Sequence, residues 1–545
     1  MKYRTILSLA MSLCVCLCLN VFAADTPPLK QGNARVIFVG DSITGQSRNV
    51  KTGYAHQFEA AVRATYPNAT PQIISLGGSG HSVGSWAGVE KNSREKSVVL
   101  DIKTNDVHKV LAQPADVLVI MLGMNDVLAP YVDDTPESID KWTARYQKLI
   151  DALKVRVSPG VLALAGITPC TEDPQSPKNQ LISKLNDQIA LLAKNNNARL
   201  LPTSQTVWDI QMQGRRLRPD YHVTADFVHP TTAGHIGIAM GMLDGLGETA
   251  AVDWLRKNRL DEYNKHMASR HTAPFSWEIK QLQANDISDK LSYAITYHWL
   301  DTQTQPSVTV NTPQGWQVSP NQLTTATGTF TLTGNANQWQ NKLTLNANVN
   351  GQTQSTDLYI PAPWLVGYSF VQRLWKQPGY VFMADKAHTP IDDVIESGGD
   401  FTKPIDMGKG KTLTWKPYSP SVNFTGKDDP DSVDFAAVTH AGNWEAGYLA
   451  RWIYSDKDRT CMIQPKTRMF AGYMFLNIWV NGKTVYEGRL RKAPTTTIQL
   501  QKGWNALVCR SSHHNWQWQL SLPITGQDGD DLSDLRYSIV SKTNE

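Results

Sequence analysis

From Ala34 to about Trp254, short apolar runs alternate with segments of helical period, and after about Thr272 that alternation stops. Strands separated by crossover helices build a largely parallel sheet covered on both faces, whereas apolar residues at every second position build antiparallel sheets. At 545 residues the chain also exceeds the roughly 100 to 200 of one domain, so the change of pattern marks a change of domain.

In the first part the strands are Arg35 to Val39, Gln72 to Leu76, Asp116 to Leu122, Gly160 to Ile167 and Arg199 to Leu201. A helix is expected from Thr135 to Val157, where Thr135 is a natural N-cap and Pro136 suits the first turn. Others are expected over Lys178 to Lys194, Thr231 to Leu246 and Thr249 to about Lys265. In the second part Gln, Asn, Thr, Trp and Tyr rise. Short strands follow at sandwich spacing: Leu291 to Trp299, Ser307 to Val310, Thr327 to Leu332, Asn341 to Ala347 and Thr356 to Ile360. Pro361 and Pro363 suggest a boundary, and a further β unit runs from about Leu365 to Ile524. Within it Asn481-Gly482 joins Phe475 to Val480 with Lys483 to Glu487 as a hairpin.

Residues 1–23 carry Lys2 and Arg4, an apolar run from Ile6 to Phe22, and the small-residue pattern Val21, Ala23. That is the arrangement of a cleaved secretory signal, too short for a comfortable membrane span, so the mature protein is expected to be secreted or periplasmic. Cys14, Cys16 and Cys18 lie in that run behind Leu or Val, which argues against lipid attachment. Of the remaining thiols, Cys461 and Cys509 either pair or stay buried and free together with Cys170. The formal net charge is +4; without Lys2 and Arg4 it is 4 − 2 = +2, too even for a nucleic-acid binder or a polybasic membrane anchor. Charged residues at 19% exclude disorder through excess charge.

Chemistry concentrates at strand ends. Val36 to Thr44 reads VIFVGDSIT, placing Ser42 just past a strand, where open α/β sheets hold their ligands. A serine there is either a helix cap or a nucleophile. The second strand runs into Ser75-Leu76-Gly77-Gly78-Ser79-Gly80, a loop open to close approach, and the third into Gly123-Met124-Asn125-Asp126. Near the end of the domain stands Asp226-Phe227-Val228-His229-Pro230. An Asp three residues before a His can fold onto the same side, holding Nδ1 while Nε2 faces a nucleophile.

The four blocks GDS, glycine loop, GxND and DxxH, in this order, resemble the SGNH (GDSL-type) hydrolase family over residues 34 to about 250. The resemblance implies a flavodoxin-like three-layer α/β sheet, with Ser42 as nucleophile, His229 as base and then acid, and Asp226 as its orienter. The oxyanion donors would be the backbone N–H of Ser42, the N–H of Gly80 and the side chain of Asn125. One departure is that the second block reads Ser75-Leu76-Gly77, where the family usually carries an Asn before the first glycine. Acyl transfer of this kind calls for no metal or organic cofactor.

Gly80-His81-Ser82-Val83-Gly84 also fits the GxSxG nucleophile elbow, but the strand ends at Leu76, and Asp226 and His229 are too close for that fold's separate loops. Asp41 and Asp126 read as loop-holding residues, His81 as a surface loop residue or a substrate contact, and His235 as packing.

Thirteen of the 17 tryptophans follow residue 256, and exposed aromatic rings on a β surface suit sugar faces, while buried ones serve a core. Val308 to Pro320 is similar to Ig-like modules of carbohydrate-active enzymes. Ile478 to Val508, with Trp516 to Pro523, is similar to their galactose-binding-like jelly rolls. Asp428 to Asp434 and Gln527 to Asp534 read as calcium ligands or as solvated loops. The expected organisation is a signal peptide (1–23), a hydrolase domain (24–270), an Ig-like sandwich (271–362) and a jelly-roll module (363–545). The expected activity is removal of acetyl or other small acyl groups from a polysaccharide or glycan, with no membrane span and no nucleic-acid partner. The rivals are a lipid or arylester hydrolase of the same fold and a carbohydrate-binding surface protein with an inactive hydrolase domain. Oligomeric state is not indicated.

Overall fold

A computed structural model of the protein describes residues 28–30, 32–87, 107–129, 131–171, 173–270, 273–282, 286–369, 389–407, 412–419, 432–435, 445–466, 474–490, 495–513, 519–527 and 532–542. The expected signal peptide, residues 491–494 and 516–518 of the jelly-roll match, and residues 428–431 and 528–531 of the two acidic stretches lie outside them.

Five parallel strands form the first sheet: β1 (Arg35–Gly40), β2 (Gln72–Gly77), β3 (Val117–Met121), β4 (Val161–Ala165) and β5 (Arg199–Leu201), in the order β2-β1-β3-β4-β5. This is the flavodoxin-like order. Every residue of β3, and every residue of β1 after Arg35, is buried, as befits strands covered by helices on both faces. The helices are α1 (Ser42–Asn49), α2 (Tyr54–Thr65), α3 (Val83–Trp86), α4 (Val107–Leu111), α5 (Met124–Leu128), α6 (Pro136–Val157), α7 (Pro177–Asn195), α8 (Thr203–Arg215), α9 (Thr232–Gly245), α10 (Thr249–Leu255) and α11 (Asp261–Ser269). In one layer α6 packs on α7; in the other α2 and α8 pack on α9, and α10 on both α2 and α9. Helix α6 shows why: Trp142, Tyr146, Leu149, Ile150, Leu153 and Val157 form one buried stripe at helical spacing.

The expected strands of this sheet hold to within two residues at each end. Asp116 stays outside β3 because its carboxylate accepts from the N–H of Arg35 at 2.6 Å. The chain leaves β4 after Ala165, and Ile167 donates instead to the side chain of Asn186 at 2.7 Å. The last expected helix reaches Leu255, passes through a π-helical turn at Arg256–Leu260 and continues as α11.

Beyond residue 274 the described strands pair antiparallel. The sheet Phe275–Gln281, Lys290–Trp299, Thr327–Asn335, Gln317–Ser319 faces the sheet Gln352–Pro361, Gln340–Val349, Ser307–Asn311. Strand Lys290–Trp299 alternates strictly, with Leu291, Tyr293, Ile295, Tyr297 and Trp299 inward. A larger sheet follows, with Glu445–Ser455 and Gly503–His513 as its central strands. Here both faces are covered. Leu449, Ile453, Leu507 and Cys509 point into one core; Tyr448, Ala450, Trp452 and Val508 point into another, continuous with the interior of the preceding sandwich. Arg451 is fully buried, its guanidinium 3.7 Å from the ring centre of Trp364 and also over Trp339 and Tyr537, a cation–π cage joining the two sandwiches. The hydrolase domain meets this half where Ser276 donates to the carbonyl of Arg215, whose guanidinium lies 3.4 Å from Glu278.

Candidate active site

Strand order reverses at β1, which lies between β2 and β3, and the diverging connections leave a crevice beyond the carboxyl ends of these strands. Each of the three strand ends contributes to it.

Past β1, Asp41 takes the N-cap of α1, its Oδ1 accepting from the N–H of Ile43 at 2.9 Å. Ser42 is therefore relieved of capping, and its Oγ lies 2.9 Å from Nε2 of His229. Of the two readings open for this serine, the geometry favours the reactive one. On the far side of the ring, Nδ1 of His229 lies 2.8 Å from Oδ2 of Asp226. The other carboxylate oxygen accepts from the backbone N–H of Val228 at 3.1 Å and of His229 at 2.7 Å. With the Nδ1 proton given to Asp226, the Nε2 lone pair faces the serine hydroxyl.

The Asp226–His229 turn is tight enough to drive Phe227 to φ 69°, a left-handed conformation costing a side-chain-bearing residue about 1 kcal/mol or more. The loop is fastened around it. Ala225 N–H donates to the carbonyl of His229 at 2.7 Å, Thr231 N–H to that of Val223 at 2.9 Å, and Thr171 N–H to that of Phe227 at 2.9 Å. Thr231 then caps α9, which begins at Thr232.

Burial by itself would lower the pKa of His229, but the hydrogen bond and charge of Asp226 together with the charge of Asp41 outweigh it, and the imidazolium is stabilised above the ordinary histidine value. Asp41 is buried, and desolvation pushes its carboxyl up to about 6. His235, also buried, accepts at Nδ1 from the N–H of Tyr54 at 3.3 Å, and desolvation pulls its pKa down to about 4. It is neutral packing under the site, as its sequence position suggests.

The three expected oxyanion donors each keep an N–H that no described residue accepts. The N–H of Ser42 is an unsatisfied first-turn group of α1 and donates to no described residue, and neither does the N–H of Gly80. Gly80 adopts φ 78° with open space on the side where a Cβ would stand. Past β3, Gly123 at φ 131° makes the turn that begins α5; a Cβ there would collide with Ile167. Asn125 follows, and its Nδ2 donates one proton to the carbonyl of His81 at 2.9 Å, which fastens the glycine loop and fixes the amide. The second proton remains for a ligand.

Ser82 is fully buried and is the N-cap of α3 in a reciprocal box with Ser85: Ser85 N–H reaches Ser82 Oγ at 3.0 Å and Ser82 N–H reaches Ser85 Oγ at 2.8 Å. The Ser-x-x-Ser spacing is a cap signature that outweighs the elbow pattern. His81 is likewise no surface residue; it is buried, with its ring 5.8 Å from that of Trp86, whose Nε1 braces the carbonyl of Gly40 at 3.0 Å. The reach of Trp86 to the end of β1 had no signal in the sequence. Asp126 accepts from the N–H of Val83 at 3.0 Å, the loop-holding role expected. Cys170, Cys461 and Cys509 are buried thiols and form no disulfide with one another.

The five-stranded flavodoxin-like sheet, with Ser42, His229 and Asp226 in hydrogen-bond contact at its switch point, has the fold of an SGNH-type α/β hydrolase. Residues 38–235 match the GDSL-like lipase/acylhydrolase family and constitute a domain of it. An acetylxylan esterase from Geobacillus stearothermophilus is 25% identical over 236 residues, covering 41% of this chain and 96% of that protein, and is homologous to this domain. The crystal structure of an acetylxylan esterase from the same organism aligns at 22% identity over 40% of this chain and 96% of its own, with a TM-score of 0.31. An α/β hydrolase from the metagenome of Lake Arreo, Spain, aligns at 21% identity over 40% and 98%, also with a TM-score of 0.31.

Proposed function

We propose that the protein is an exported serine esterase that removes acetyl or other small acyl groups from hydroxyls of a polysaccharide or glycan. The observation that carries this reading is the unbroken relay from Asp226 Oδ2 through the His229 ring to Ser42 Oγ, in two steps of 2.8 and 2.9 Å. Ser42 attacks the ester carbonyl while His229 takes its proton at Nε2. The negative oxygen is received by the N–H groups of Ser42 and Gly80 and by Asn125, and the sugar hydroxyl leaves with the proton from His229. Water then repeats the sequence on the acyl-enzyme. Asp226 keeps the ring in the productive tautomer and stabilises the imidazolium. The carbohydrate is suggested by the homologous acetylxylan esterase. A polymer also gives the β half a use: a second attachment raises the effective concentration of ester at the crevice. Export is suggested by the basic and apolar residues of the first 23 positions.

The test is acetate release from a panel of acetylated glycans beside p-nitrophenyl esters of increasing chain length. Acetyl esters should turn over fastest, with kcat/KM falling as the acyl chain lengthens. Rates that rise with chain length would replace the glycan by a lipid substrate.

A further inference from the structure

A pocket of about 470 Å³ lies on the flank of the hydrolase domain, between α2, α9 and the π-helical turn. It reaches the neighbourhood of the relay by two routes. Thr232 on its wall stands three residues after His229, and Lys51 and Thr52 lie just past Val50, the C-cap of α1, the helix that Ser42 begins. Eight residues of helix span about 12 Å, so the pocket lies beyond the ester itself yet within reach of the same polymer chain.

Its lining has a definite character. Lys51 and Arg259 are both exposed cations, and no carboxylate lines the pocket. Glu59, the acid on α2, is engaged by Arg48 at 2.7 Å and by Arg63 at 2.8 Å. Among the described residues neither Lys51 nor Arg259 has a carboxylate partner. Arg259 is steadied over the ring of Trp254 at 5.1 Å and donates one long bond of 3.4 Å to the carbonyl of Asn258. The N-terminal end of α9, a helix of 14 residues, opens at Thr232 and adds partial positive charge. The hydroxyls of Thr52 and Thr232 bond to no described residue, and Ala60 and Ile236 supply an apolar patch between them.

Cations suit a carboxylate, free hydroxyls suit sugar hydroxyls, and an apolar floor suits the C–H face of a pyranose ring. We propose that this pocket binds a uronosyl residue, a carboxylate-bearing sugar of the same polymer, next to the acetylated unit. The inference rests on the reading of the domain as a polysaccharide esterase and narrows it to acidic polysaccharides. The cations are exposed, so the selectivity expected is modest, roughly fivefold, and weakened by salt.

Two measurements test it. The first is kcat/KM on acetylated oligosaccharides that differ only in carrying or lacking a uronosyl unit. The wild type should favour the acidic one roughly fivefold at low salt. The Lys51→Ala/Arg259→Ala double variant should lose that preference while keeping its rate on the neutral oligosaccharide and on p-nitrophenyl acetate. Equal rates in the wild type, or a preference that survives the double substitution, would overturn the proposal. The second is calorimetric titration with deacetylated uronosyl oligosaccharide, its neutral counterpart and inorganic phosphate. Binding of the uronosyl sugar alone, lost in the double variant, supports the pocket; phosphate binding as well as the sugar, or no binding, refutes it. Cleavage of p-nitrophenyl acetate without turnover of any acetylated glycan would defeat the polysaccharide reading instead, and the titration would still decide the pocket.

Discussion

In the hydrolase domain the buried carboxylates of Asp41 and Asp226 stand around a histidine whose free edge faces an open crevice. In the β half Asp392 is buried too, but it is closed in by Arg510 at 2.6 Å, by the N–H of Thr389 at 3.0 Å and by the hydroxyl of Tyr448 at 3.3 Å. Arg510 in turn reaches Asn477 at 3.0 Å. Both regions take charge out of water, which is costly unless partners compensate. They differ in what the compensation leaves over. Around Asp392 the groups satisfy one another and the product is rigidity. Around Ser42 donors remain that no described residue accepts from, and the product is a place where new negative charge is welcome. Buried polarity is therefore a guide to function only when it ends in something unanswered.

Four substitutions would break or sharpen that contrast. The largest effect is expected from Ser42→Ala, which should lower kcat on p-nitrophenyl acetate by about 10⁴-fold or more and leave the melting temperature unchanged; an active variant would remove the relay from the mechanism. Next, Arg510→Met strands the carboxylate of Asp392 and should cost about 3–5 kcal/mol of stability in the β half. Chemical denaturation should show this with kcat on the small ester untouched. Loss of kcat in a folded variant would mean that the two halves are not as separate in purpose as described. Asn125→Ala comes third, with kcat reduced by about 10²–10³-fold; a loss below threefold would take the amide out of the oxyanion site.

The smallest effect is expected from Asp41→Asn, which keeps a side chain able to cap α1 but removes a negative charge near His229. His229 must be neutral to accept a proton, and its pKa is raised, so the acidic limb of kcat/KM in the wild type should lie above the ordinary histidine value near 6.5. Removing a charge that favours imidazolium should move that limb to lower pH by less than one unit. A shift to higher pH would show that Asp41 does not act on the ring through its charge.

The parts legible in the sequence are those specified locally. Strands β1 to β5 announce themselves as apolar runs, and Asp226 and His229 can be paired from their spacing because a three-residue turn brings them together whatever surrounds it. The capping role of Asp41 is nearly as local, and it is what frees the hydroxyl of Ser42. Other features depend on chain segments that meet only in three dimensions. Asn125 finds the carbonyl of His81 44 positions away, and Trp86 reaches Gly40 across 46. His81 reads as a loop residue because nothing near it in the chain says that Trp86 will cover it. In the β half, strands could be counted but not assigned to faces. The nine described tryptophans beyond residue 256 are all buried or half-buried, so these nine serve cores and do not form an exposed sugar platform.

The strand Glu445–Ser455 has water on neither side: its odd and even residues serve different interiors, one of them shared with the preceding sandwich. A protein shortened to end near Pro361 would leave the earlier sandwich facing solvent where Leu365, Tyr448 and Trp452 now cover it, and the remainder would be equally bare. The stretch from Phe275 onward should thus be gained, lost or transplanted in evolution as a single piece, even though its sequence looks like two interchangeable cassettes.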